Sequence, residues 1–133
     1  MRTIGVDIGG TNVRGGVVDE RGSVIDTAHV PTPSGEQALE DAIMTVVGTL
    51  TGRHSVAAVG LAVAGFVATD LRTVMFAPHL AWRKVPVADR ISVRLNLPVV
   101  LERDANAAAL GEYRFGAARG ARVAALIAIG TGI

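Results

Sequence analysis

The sequence contains no cysteine, and only 4% of its residues are aromatic. The missing cysteines exclude disulfides and thiolate metal sites within these 133 residues, and they do not indicate a compartment. Half of the residues are nevertheless hydrophobic. Because so few of these are aromatic, we expect a core of Val, Ala, Leu and Ile side chains packed in tight layers.

The sequence also lacks a strong charge and a long apolar run. Its formal net charge is +1, so we expect no binding to nucleic acid or to a membrane surface. The longest apolar run, Val56 to Ala68, is interrupted by glycines and is too short to span a bilayer. Because the first predicted strand begins almost at Met1, no signal peptide fits, and we expect a soluble cytoplasmic protein.

Hydrophobic periodicity predicts a mixed sheet with helices on its faces. Strands are predicted over residues 2–8, 13–19, 23–30, 56–64, 73–77, 98–101 and 123–129. Helices are predicted over residues 36–53, 86–97 and 105–113. Ser34 is expected to cap the first helix, with Gln37 at the capping-box position.

A glycine-rich turn, Asp7-Ile8-Gly9-Gly10-Thr11-Asn12, lies between the first two predicted strands. With little side-chain bulk, its backbone N–H groups can approach an anion closely. Asp7, at the end of a strand, can hold a hydrated Mg²⁺ beside that anion. The alternative interpretation is an ordinary glycine-rich hairpin. A similar turn, Gly130-Thr131-Gly132, follows the last predicted strand.

Several segments, in order along the chain, resemble one family. Residues 7–14 (DIGGTNVR) are similar to the phosphate motif of the actin, heat-shock-protein and sugar-kinase superfamily. Residues 62–67 (AVAGFV), 77–83 (APHLAWR) and 102–113 (ERDANAAALGEY) resemble the ROK family of repressors, open reading frames and kinases, and most of all its bacterial glucokinases. Residues 129–133 (IGTGI) resemble the second phosphate segment of that family.

The resemblance implies an α/β, ribonuclease-H-like (actin-like ATPase) fold and a kinase that transfers the ATP γ-phosphate to the 6-hydroxyl of a hexose, glucose in particular. It implies that residues 1–120 form the N-terminal domain and that residues 121–133 open a truncated second domain, so that these 133 residues alone would be inactive. A structural zinc would lie only in the missing C-terminal part, and the full-length protein would be a homo-oligomer.

The resemblance also assigns site residues. ATP and Mg²⁺ would be held by Asp7, Gly9, Gly10, Thr11, Asn12, Gly130, Thr131 and Gly132, with Asp7 reaching the metal through water. The sugar would be held by Gly65, His79, Arg103 and Asp104. Asp104, between a strand and a helix, would be the general base; the alternative is a plain helix N-cap.

Two positions depart from the family pattern, since Arg103 and His79 stand where Asn is frequent. An ion pair between Arg103 and Asp104 would weaken Asp104 as a proton acceptor. A non-catalytic ROK-type sugar-sensing regulator without its own DNA-binding domain is therefore the alternative function. A chaperone ATPase of the same superfamily is disfavoured by the segment around Asp104. We expect Trp82 to anchor its loop in the core, and Arg90 and Arg94 to form a solvated helix face.

Overall fold

The computed structural model describes residues 1–129 of the chain. The strands are β1 (Thr3–Ile8), β2 (Asn12–Val18), β3 (Val24–Pro31), β4 (Val59–Val63), β5 (Phe66–Val67), β6 (Val74–Phe76), β7 (Arg83–Val85) and β8 (Val99–Arg103). The helices are α1 (Glu36–Thr51), α2 (Val87–Leu95) and α3 (Asp104–Phe115). Within residues 1–129, every helix is too short or too polar to cross a membrane.

A five-stranded mixed sheet organises the fold, with its strands in the order β3-β2-β1-β4-β8. β1, β2 and β3 form an antiparallel meander, whereas β1, β4 and β8 pair in parallel. Parallel neighbours need a long crossover connection, and α1 and α2 lie in the two crossovers. β5, β6 and β7 form a separate small antiparallel sheet. The α/β mixed-sheet prediction is confirmed.

One face of the large sheet carries the core. Alternate residues of its strands, such as Ile4 and Val6 in β1 and Leu61 in β4, are almost completely buried. α1 packs on this face because its apolar residues recur at helical spacing. The residues that α1 buries are Leu39, Glu40, Ala42, Ile43, Val46, Val47 and Leu50. Most of these side chains are aliphatic, as the composition predicts.

Ion pairs join α2 to α1. Arg90 pairs with Glu36 and with Glu40, whose Oε1 lies 3.1 Å from the Arg90 Nη1. Arg94 pairs with Asp41 over 2.8 Å, and its hydrogen bond holds the pKa of Asp41 below the ordinary value. Both arginine side chains remain partly exposed, as expected of a solvated face, and they also pair with acidic side chains of α1.

α3 begins on the opposite face of the sheet. Glu102 follows the buried Leu101 in the strand and therefore points away from the core. Its Oε1 accepts a hydrogen bond from the Asn106 Nδ2 in the first turn of α3, over 3.2 Å. At the other end of α3, Phe115 lies so close to Gly22 that a Cβ on Gly22 would come 2.5 Å from the ring. Helices therefore lie on both faces, as predicted.

Two local predictions were wrong. Gly35, rather than Ser34, is the N-cap of α1, and no side chain caps the helix; Gln37 donates to Asp41 instead. β7 was not predicted: Arg83 was expected in a loop and residues 84–85 in no element, because the three residues carry no alternating pattern. It forms because Arg83 and Val85 pair with Phe76 and Val74 of β6.

The strand predicted over residues 123–129 is absent: these residues form no strand in the structure. A strand needs a neighbour to receive its backbone hydrogen bonds, and none of the strands within residues 1–129 pairs with this segment. Val123, Ile127 and Ile129 are 90%, 83% and 74% exposed. The predicted phosphate turn at Gly130, Thr131 and Gly132 lies outside the described residues.

A substitution at Gly15 can test how closely α1 packs on the sheet. A Cβ on Gly15 would lie 2.5 Å from the Val46 Cγ1 and 3.2 Å from the Leu50 Cδ1, both of them buried. We expect Gly15→Ala to lower the free energy of unfolding by about 1–3 kcal/mol through overpacking, as measured by urea-induced unfolding. Gly5→Ala is the matched control, because nothing lies within 4 Å of its added Cβ. Equal stability of the two variants would contradict this packing.

Candidate active site

The carboxyl ends of β1, β4 and β8 meet at one edge of the sheet. Their parallel register places Ile8 beside Val63 and Val63 beside Arg103. Neighbouring strands lie about 4.8 Å apart, so the residues that follow each strand fall in one small region. In open α/β sheets, ligands bind outside the carboxyl ends of the strands. The sheet therefore brings together the glycine turn, Gly65 and Asp104, to which the family resemblance assigns roles in the site.

The glycine turn between β1 and β2 leaves two backbone donors available. The Gly9 N–H donates to the Asn12 carbonyl over 3.1 Å and closes the turn. Within residues 1–129, the N–H groups of Gly10 and Thr11 donate to no protein acceptor. Of the three N–H groups expected to face an anion, Gly10 and Thr11 keep that capacity, while Gly9 already has a protein partner.

Thr32 holds the turn from the side, a role that sequence reasoning missed. Its Oγ1 donates to the Gly9 carbonyl over 2.7 Å, and its N–H donates to the Thr11 carbonyl over 2.9 Å. Thr32 reaches the turn because the β2–β3 register pairs Asn12 with Pro31, and Thr32 directly follows Pro31 in the chain. In the sequence, only the length of the β2–β3 hairpin could have indicated that Thr32 lies beside the glycine turn.

Asp7 lies on the face of the sheet opposite the core and close to two other charges. Partial burial raises its pKa, and repulsion by Asp104 raises it further, while Arg14 opposes both effects. Arg14 is directly opposite Asp7 in the antiparallel register. Because Asp104 raises the pKa of Asp7, the two carboxylates predicted for the site interact electrostatically.

Arg14 is a second residue that sequence reasoning missed. With Asn12, Gly15, Thr27, Ala28 and His29 it lines an open cavity of about 470 Å³ on β2 and β3. Asn12 and Arg14 share one face of β2 because strand side chains alternate. Asn12 was already assigned to the site, so this alternation could have indicated from the sequence that Arg14 lies beside it.

Asp104 is the first residue of α3, and Arg103 occupies the N-cap position without a side-chain capping bond. The Asp104 Oδ1 accepts the Ala105 N–H over 2.8 Å, and the side chain remains exposed. Asp104 therefore lies one residue after the N-cap position, and its side chain still accepts one backbone N–H at the start of α3. A solvent-facing carboxylate at this edge can accept a proton from a ligand.

Arg103 does not form the anticipated ion pair with Asp104 in the described part of the chain. Its guanidinium carbon instead lies 5.0 Å from the centre of the Phe66 ring, in a cation–π arrangement. Arg103 and Asp104 diverge because strand alternation turns Arg103 toward the core face, whereas Asp104 enters α3 on the other face.

His79 approaches the glycine turn from the loop between β6 and β7. A Cβ on Gly10 would lie 3.2 Å from the His79 Cβ. Trp82 of the same loop is completely buried, as expected of an anchor, although its Nε1 has no hydrogen-bond partner among the described residues.

Gly65 is required by packing. A Cβ there would come 2.6 Å from the Phe76 carbonyl oxygen and 2.8 Å from the Ala77 Cβ. The missing side chain therefore lets the turn after β4 lie against the end of β6. Any contribution of Gly65 to ligand binding would come from its backbone.

Comparison with known proteins decides the family. The model of the ROK family matches residues 3–133. The chain belongs to the ROK family. It is 48% identical over 131 residues to a glucokinase from Streptomyces coelicolor, across 98% of this chain and 41% of that protein.

A solved structure and a regulator also match this ROK chain. The crystal structure of a ROK family glucokinase from Streptomyces griseus, in complex with glucose and AMPPNP, superimposes with a TM-score of 0.87 at 50% identity, over 90% of this chain and 38% of the other. A putative xylose repressor from Caldicellulosiruptor is 34% identical over 123 residues, which are 85% of this chain and 30% of the repressor. The likeness to the kinase structure confirms the actin-like ATPase fold. The chain spans about two fifths of the length of the glucokinases it matches.

The edge of this ROK domain fits a nucleotide phosphate. The turn offers two backbone N–H donors, those of Gly10 and Thr11, and such N–H pairs bind anions. Within residues 1–129, no three His, Asp or Glu side chains stand close enough to hold a metal ion together. The family resemblance assigns Asp7 to Mg²⁺ through water, which agrees with the reluctance of Mg²⁺ to lose its hydration shell.

The raised pKa of Asp7 predicts a pH dependence of stability. Folding then favours the protonated carboxyl, so this contribution is complete below the ordinary value of 3.8 and is lost as the pH rises through the folded pKa. We expect Asp7→Asn to increase the free energy of unfolding at pH 7, with the gain shrinking toward pH 3, in urea unfolding measured across that range.

Asp41→Asn is the matched control, since Arg94 lowers the pKa of Asp41. This variant should lose stability at pH 7, and the loss should shrink on acidification. A destabilised Asp7→Asn at pH 7 would contradict the electrostatic account of Asp7.

Proposed function

We propose that the protein is an ATP-dependent hexose kinase that transfers the γ-phosphate to the 6-hydroxyl of a hexose, with glucose as the substrate. The observation that carries the proposal is the shared edge of the sheet, where Asp104 raises the pKa of Asp7. In the adjoining turn, the N–H groups of Gly10 and Thr11 have no protein acceptor within residues 1–129. The glucose and AMPPNP bound by the Streptomyces griseus relative support it.

Each residue at the edge has one task in this reaction. Phosphoryl transfer depends chiefly on positioning and charge neutralisation. Asp104 accepts the proton of the sugar 6-hydroxyl. At the same time the hydroxyl oxygen bonds to the γ-phosphorus, and the bond between the γ-phosphorus and ADP breaks. Gly10 and Thr11 donate N–H groups to phosphate oxygens, and Asp7 orients a water of hydrated Mg²⁺. When bound, Mg²⁺ neutralises phosphate charge.

The remaining assignments concern the sugar and the second wall of the site. His79, Arg103 and the backbone of Gly65 form the sugar side. Asn12 lies at the end of the turn, on the ATP side. Gly130, Thr131 and Gly132 hold the phosphates from the opposite side.

The second domain begins at residue 121, after the domain formed by residues 1–120. Support comes from the exposed Val123, Ile127 and Ile129, which no strand within residues 1–129 covers, and from the length of the relatives. Residues 1–133 alone are then inactive, because the other side of the cleft belongs to that domain. We expect a cytoplasmic homo-oligomer for the full-length protein.

Asp104 is the residue whose loss should abolish turnover. In the full-length protein, we expect Asp104→Asn to lower kcat for glucose phosphorylation by about 10²–10⁴-fold, because a positioned general base contributes that much. A coupled assay of ADP formation measures it. Asp89→Asn is the control, since Asp89 of α2 lies in an exposed ion pair with Arg72, which precedes β6. Normal turnover of Asp104→Asn would show that Asp104 is not the base.

A sugar-sensing regulator is the second candidate function. It is favoured by Arg103, which offers only donors where the family resemblance leads us to expect Asn. We expect Arg103→Asn to raise kcat/KM for glucose in the full-length kinase, with Arg53→Asn as a control distant from the site. Hexose binding by calorimetry, with no turnover in either the wild type or Arg103→Asn, would instead support the regulator.

A further inference from the structure

A single guanidinium group contacts three carbonyls of the loop that carries His79, residues 77–82. The Arg83 Nη1 lies 3.0 Å from the Ala77 carbonyl oxygen, 2.9 Å from that of Leu80 and 2.7 Å from that of Trp82. One cation therefore binds both ends and the middle of the loop. Hydrogen bonds from a charged donor are stronger than those between neutral groups.

The same guanidinium is fixed on its other side by an aromatic pair. The Arg83 guanidinium carbon lies 4.4 Å from the centre of the Phe76 ring. Phe76 stacks on Phe66, with 6.4 Å between ring centres and 28° between ring planes, and Phe66 in turn carries Arg103 at 5.0 Å. We call this series the Arg83–Arg103 stack. It links β7, β6 and β5 to the end of β8.

The two phenylalanines are only partly covered by the stack. Phe66 and Phe76 are 54% and 42% exposed, and each ring contacts one arginine and the other ring. Through these contacts the two rings join Arg83 to Arg103.

The backbone next to Arg83 shows the same constraint. Lys84 has a φ of 54°, in the left-handed region that residues other than glycine rarely adopt. Such a conformation persists only where the surrounding structure holds it in place. The β6–β7 pairing on one side and the Arg83 contacts on the other supply that restraint.

We propose that Arg83 is a positioning residue for the hexose site, which fixes loop 77–82 so that His79 stays against the glycine turn at Gly10. The proposal rests on the proposed hexose kinase activity, and it adds a residue that itself contacts neither substrate. Arg83 acts through the loop: its carbonyl contacts set the loop's path, and the path sets the position of His79 beside Gly10.

The test compares Arg83→Met with Arg83→Lys in the full-length protein. Met keeps the unbranched part of the side chain, as far as the position of the arginine Nε, but removes the guanidinium group. We therefore expect the KM for glucose to rise about tenfold, since a small misplacement in a site can cost up to about 10²-fold. The KM for ATP should change by less than about twofold, the margin within which we count a parameter of this assay as unchanged. Lys donates hydrogen bonds but lacks the planar face, so it should give an intermediate KM for glucose.

Arg53→Met is the matched control, because it removes the same side chain from an exposed ion pair with Asp26. Its KM values should equal those of the wild type. A lower melting temperature of Arg83→Met with unchanged KM values would overturn the positioning role, since a purely structural residue gives that result. Equal increases in both KM values would overturn it as well.

A measurement on the loop separates this proposal from the proposed function. The Leu80 N–H donates to the Ala77 carbonyl over 3.2 Å inside the loop, and its hydrogen exchange should accelerate at least tenfold in Arg83→Met while Arg53→Met leaves it unchanged. Should the wild type phosphorylate no hexose, the kinase proposal fails. Accelerated exchange at Leu80 would then still support loop positioning by Arg83, and unaltered exchange would overturn it.

Discussion

The parallel pairing of β1, β4 and β8 is the constraint on which the rest of the structure depends. Because these strands run in one direction, the residues that follow them meet at one edge. Each parallel pair needs a crossover, and the helices in those crossovers bury one face of the sheet. The same pairing that builds the core therefore also gathers the glycine turn, Gly65 and Asp104.

The edge concentrates groups that oppose one another electrostatically. Asp7 and Asp104 repel, and the pKa of Asp7 is raised by this repulsion together with burial. Such repulsion lowers the stability of the fold in the absence of a cation. It is typical of sites where a bound charged ligand neutralises the charge of the side chains. Arg14 provides part of that balance within the chain, while Arg103 is directed away to Phe66.

Much of the fold was predictable because its signals are local. The apolar stripe of α1 and the continuous apolar run of β4 each follow from the period of their side chains. β7 was missed because Arg83-Lys84-Val85 has no such period and is a strand only through its pairing with β6. For residues 123–129 the error was the reverse, because a strand was predicted and none forms. An apolar run forms a strand only where a partner strand receives its hydrogen bonds.

The sequence by itself determined the family and the mixed α/β architecture, because motif and periodicity are properties of neighbouring residues. Only the tertiary structure decided how these residues act on one another. Thr32 reaches the glycine turn through the register of a hairpin, and Arg83 joins three carbonyls of the His79 loop. Register and loop path depend on contacts between distant residues, and no local pattern of side chains specifies them.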